Sequence, residues 1–146
     1  MGIVSYFVVA GSLAIGAAMV GRVTAQDWRT ASQEPVGLAP EPSAHPEAVV
    51  QVYAARVIGW RGVFGVHTWI AVKPAAASEY TVYEIIGWRL RWQDSALAVR
   101  HRAPDARWFG SVPELIAEKR GPGAAALIPR IDEAAHTYPG RQHYVH

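Results

Sequence analysis

Three textures follow one another along the chain. Residues 3–20, IVSYFVVAGSLAIGAAMV, are apolar and uncharged, and a polar stretch with Pro35, Pro40, Pro42 and Pro46 comes next. From Val49 onward, short apolar runs alternate with turn residues. VVQVYAARVIGW, FGVHTWIAVK and YTVYEIIGW are rich in β-branched and aromatic residues and are broken by Gly59, by Pro74 with the turn AAAS, and by Gly87. Each reads as a strand. RLRW and ALAVRHR, flanking Gln93–Ser95, read as a further hairpin. Beyond Pro104 the pattern predicts helices. Ser111 is placed to cap PELIAEKR, with Pro113 in its first turn, Glu114 at the capping-box position and Gly121 as its stop. A second helix, roughly Gly123 to Tyr138, puts Leu127, Ile128, Ile131 and Ala135 on one face, with Pro129 weakening its first half. The expected class is α+β: a small antiparallel sheet followed by two C-terminal helices, preceded by an N-terminal transmembrane or signal helix.

The expected organisation is an anchor or signal segment over 1–25, a proline-rich linker over 26–47, an α+β domain over 48–139 and a divergent tail over 140–146. The run from Ile3 to Val20 would span roughly 27 Å as a helix, close to the hydrocarbon core of a bilayer. Val23-Thr24-Ala25 suits signal cleavage, but no basic n-region precedes the run, and an uncleaved single-pass anchor suits its length better. Arg22 and Arg29 follow it, which by the positive-inside rule favours a cytoplasmic domain.

Composition narrows the chemistry. The chain has 146 residues, enough for one domain with a modest core. Its formal charge of +2 gives no general drive toward nucleic acid. Cysteine is absent, so disulfides, thiolate metal sites and thiol nucleophiles are excluded. The histidines show no ligand spacing, and neither a metal nor a cofactor is expected.

The candidate site lies in FGVHTWIAVK. Strand alternation puts His67, Trp69 and Ala71 on one face, and Val66, Thr68, Ile70 and Val72 on the other. If the next strand pairs with Trp69 opposite Glu84, that carboxylate joins the His67 face; a slip of one residue brings Tyr83 there instead. Either group would orient an imidazole as a general base. The alternative is a histidine that the fold simply hydrogen-bonds. A second candidate is a patch of Arg89 and Arg91 paired across a hairpin with Arg100 and Arg102, able to grip phosphates or carboxylates, with Trp88, Leu90 and Trp92 then facing the core. Its plain counterpart is a solvated face on an edge hairpin.

Several segments together carry a resemblance: PEAVVQVYAARVIGWRGVFGVHTWIAVKP, YTVYEIIGWRLR, and RAPDARWFGSVPELIAEKRGPGAAALIPRIDEA with the Tyr-Pro after it. Over roughly Trp28 to Pro139 they resemble the bacterial family called domain of unknown function 3750, with GVHTW and RWFG as its specific motifs. The resemblance implies a hydrophobic N-terminal segment and a domain in the cell envelope, hence an inner-membrane protein with a periplasmic domain, the cytoplasmic orientation staying open. Family members continue past Tyr-Pro into a Pro-Gly-Pro-Asn-Ser-Asn type segment, whereas this chain ends in YPGRQHYVH, which implies a truncated or frameshifted copy. The GVHTW strand also resembles the histidine half of circularly permuted papain-like folds. That likeness makes His67 the base and Glu84 or Tyr83 its orienting group, without the thiol such enzymes use.

Two functions follow as expectations. One is a membrane-anchored, non-catalytic envelope domain that binds a protein partner, an envelope polymer or anionic lipid through His67 and Trp69 or through the arginines. The other is a hydrolase- or transferase-like enzyme with His67 as general base, which would need a serine such as Ser95 or Ser111 as its nucleophile.

Overall fold

In a computed structural model of the chain, residues 29–57, 65–139 and 142 are described. Five strands form one sheet: β1 (Val49–Arg56), β2 (Val66–Lys73), β3 (Thr81–Ile85), β4 (Leu97–His101) and β5 (Glu114–Arg120). Every neighbouring pair is antiparallel, in the order β4-β3-β2-β1-β5. A 3₁₀ turn over Gly87–Arg91 joins β3 to β4, and helix α1 (Pro122–Thr137) follows β5. The runs rich in β-branched and aromatic residues supply β1 to β3, and ALAVRHR supplies β4, paired with β3.

The two faces of the sheet are covered differently. One face carries Tyr53, Trp69, Ala71, Val82 and Ala98 in a buried cluster with Tyr80, Ile86 and Trp108. Loops cover it. The connection from β4 to β5 runs from one sheet edge to the other, and Trp69 Nε1 donates to the Pro104 carbonyl there at 2.7 Å. The arm before β1 lies against the same loop, with the backbone N–H groups of Leu38 and Ala39 donating to Asp105 at 2.6 and 3.3 Å. Tyr80 donates to the Pro40 carbonyl at 3.0 Å, and burial pushes its phenol up to about 12. On the other face, α1 packs Leu127, Ile128, Ile131 and Ala135 against Val50, Val72, Ile70 and Tyr83. That is the stripe expected from its periodicity.

Helix α1 begins after Gly121, whose φ of 71° requires a residue without Cβ strain. It continues through Pro129, which removes one intrahelical donor without ending the helix. Helix geometry survives because the face packed on the sheet holds both halves in place.

Two expected elements differ. PELIAEKR is strand β5 rather than a helix, so one C-terminal helix follows the sheet, not two. Its residues favour helix, but β1 offers an open ladder, and the fully buried Gln51 donates to Glu118 at 2.5 Å. Pairing overrides local propensity here. The ladder is irregular: Val52 faces Ala117 and Tyr53 faces Leu115, leaving Ile116 as a bulge. RLRW is likewise no strand; β4 pairs with β3, and the segment between them closes as a 3₁₀ turn. Without a ladder behind them Trp88 and Trp92 stay 42 % and 62 % exposed, instead of entering the core. The anchor expected over 1–25 lies outside the described residues. Among the described residues, no helix is long and apolar enough to cross a membrane.

Candidate functional site

The β2–β3 register places Trp69 opposite Glu84, which puts Glu84 on the face of His67. His67 Nε2 and Glu84 Oε2 lie 3.0 Å apart, with the Glu84 side chain fully buried and His67 nearly so. Two arginines approach the same carboxylate: Arg102 Nη2 at 3.5 Å from Oε2, and Arg100 Nη1 at 3.7 Å from Oε1. Burial alone would raise the Glu84 carboxyl. The His67 hydrogen bond and the charges of Arg102 and Arg100 outweigh it, and the group sits below the ordinary glutamate value. Glu84 is therefore a carboxylate at neutral pH. Oε1 is buried and has no hydrogen-bond partner among the described residues, since Arg100 approaches only to ion-pair distance.

An ionised carboxylate only accepts, so the proton of this contact belongs to His67 Nε2. In the neutral imidazole that leaves Nδ1 as the basic nitrogen, and it has no hydrogen-bond partner among the described residues. The arrangement is the oriented half of a general-base pair. Its other half is missing among the described residues. No hydroxyl there hydrogen-bonds the ring; the Ser95 hydroxyl accepts from the Leu97 N–H at 3.1 Å, and Ser111 is tied through its backbone to Trp108.

What covers His67 instead is an indole. The Trp108 ring stacks on the imidazole at 3.6 Å between centroids with 16° between planes, and Trp69 flanks it at 5.7 Å. A tight turn presents Trp108. The backbones of Trp108 and Ser111 exchange two hydrogen bonds of 3.0 Å, and Phe109 and Gly110 between them have φ of 45° and 87°. A positive φ at phenylalanine stores strain, offset by edge-on packing of its ring against Trp108 at 4.9 Å. The aromatic row continues to Trp88, 5.8 Å from Trp108.

The expected site residues thus separate into groups. His67 and Glu84 meet as anticipated. Tyr83 does not join them; it points to the helix face and donates to Asp132 at 2.9 Å. Trp69 is 2 % exposed, with its indole N–H held by the Pro104 carbonyl. The expected arginine hairpin does not form. Arg100 and Arg102 converge on Glu84, while Arg89 and Arg91 sit on the 3₁₀ turn, with Arg89 Nε donating to the Ser95 carbonyl at 3.4 Å. Trp108 was not among the expected site residues. Its signal was the RWFG motif, but nothing in the spacing ties that motif to a strand forty residues earlier. Among the described residues, no cluster of His, Asp and Glu is arranged to hold a metal ion.

A family model described as "Protein of unknown function (DUF3750)" matches residues 47–146 of the chain. No curated protein and no solved structure matches it.

Proposed function

The chain belongs to the DUF3750 family, and from the geometry around His67 we propose that it is a membrane-tethered envelope domain that binds a partner without turning it over. One observation carries this reading: the imidazole is oriented by Glu84 yet stacked under Trp108, with no nucleophile beside it among the described residues. The absence of cysteine from the whole chain points the same way. In this reading the His67–Glu84–Arg102 group is a polar tie within the core, and residues 3–20 supply the tether. A second reading rests on the unpartnered Nδ1. It makes His67 the base for a hydroxyl brought by a substrate, which requires the Trp108 turn to swing aside.

One experiment separates the two. Full-length protein and its His67→Gln variant are compared for membrane fractionation and for hydrolysis of a panel of p-nitrophenyl esters. The binding reading expects both proteins in the membrane fraction and no turnover by either. Turnover by the wild type that disappears in the variant would establish the enzyme instead. Recovery of the wild type in the soluble fraction would remove the tether.

A further inference from the structure

Helix α1 covers only part of its sheet face. Between the helix and strands β2, β3 and β4 lies an open groove of about 800 Å³, within the roughly 300–1,000 Å³ of small-molecule sites. Its sheet wall combines the aliphatic Val66, Ile85 and Leu97 with Thr68 and Tyr83, and its helix wall includes Leu127 and Ile131. Val66, the first residue of β2, is 64 % exposed. Of the lining residues on the helix one is charged, Arg130, which is exposed and makes no ion pair among the described residues.

We propose that this groove binds a long-chain fatty acid, with the hydrocarbon along the β2–β3–β4 wall and the carboxylate on Arg130. A groove lined largely by aliphatic side chains suits a hydrocarbon chain. A single guanidinium suits one carboxylate, which it can grip with two parallel hydrogen bonds. His67 and Glu84 also line the groove, and the assignment asks no chemistry of either.

The test uses full-length protein in phosphatidylcholine vesicles, photolysed with a diazirine analogue of palmitate and mapped by peptide mass spectrometry. Adducts are expected on β2 to β4 and α1, displaced by oleate but not by oleylamine. Arg130→Glu, a surface change, should reduce them about tenfold. Ile131→Trp, which fills the groove, should abolish them; if that variant fails to fold, Arg130→Glu and the competition still decide. Adducts confined to residues 3–20, equal displacement by oleylamine, or full labelling of Arg130→Glu would each overturn the proposal. So would labelling by a diazirine phosphatidylglycerol where palmitate gives none.

Discussion

At the scale of single residues, Glu84 has the largest consequences. Its carboxylate faces Arg102, Arg100 and His67 on the loop-covered face of the sheet, so replacing it removes the acid that all three approach. Removing one partner of a buried charge group costs about 3 kcal/mol or more, and Glu84→Ala is expected to show this in urea unfolding at neutral pH. The pH dependence has a definite sign. The folded-state pKa lies below the unfolded one, so the stabilisation is complete above the ordinary glutamate value of about 4.3 and fades as pH falls through the lower folded value. The wild type should therefore lose part of its advantage over Glu84→Gln in acid. A constant difference between the two down to the acid limit would show that Glu84 contributes no such linkage. Period-two alternation narrowed the partner of His67 to Glu84 or Tyr83, and the register of β2 on β3 made it Glu84. The stacking of Trp108 was not legible from sequence, because it depends on a loop crossing the whole sheet.

At the scale of elements, helix α1 is held by a side-chain latch as well as by its apolar stripe. Tyr83 reaches from β3 to Asp132, and burial together with that hydrogen bond pushes its phenol up to about 12. Tyr83→Phe should cost about 1 kcal/mol, measured by thermal or denaturant unfolding. The latch also predicts alkaline behaviour. Its contribution is complete below about 10, the unfolded tyrosine value, and is lost as pH climbs toward the folded value. Tyr83→Phe should flatten this alkaline loss. The same strand shows the limit of reading elements from composition. Tyr83 and Glu84 are adjacent and equally suggestive, and only the register decides which faces His67. Segment PELIAEKR failed as a helix for a related reason: its capping signals are local, while the unpaired edge of β1 that recruits it is not.

At the scale of the molecule, the arm before β1 is hydrogen-bonded to the loop that follows β4. Its backbone closes on Asp105, a buried acid 2 % exposed, and on the Arg107 N–H, which donates to the Glu34 carbonyl at 3.0 Å. Asp105→Ala should release the arm, with faster hydrogen exchange at Leu38 and Ala39 and a stability loss of about 2 kcal/mol. Unchanged exchange there would mean that other contacts hold the arm. Proline content suggested an extended linker or a surface-hugging arm; which groups it closes on was invisible, because they lie far along the chain, Tyr80 and Asp105 among them. The far rim of the sheet has a different bearing. Strand β5 is exposed along its whole length, yet Ile116 interrupts its ladder and Glu114, Glu118, Lys119 and Arg120 crowd it with charge. Such a rim is a poor template for another chain's backbone. Removing Ile116 would restore an unbroken strand, and light scattering and thioflavin binding should then reveal growth into fibrils that the intact protein resists.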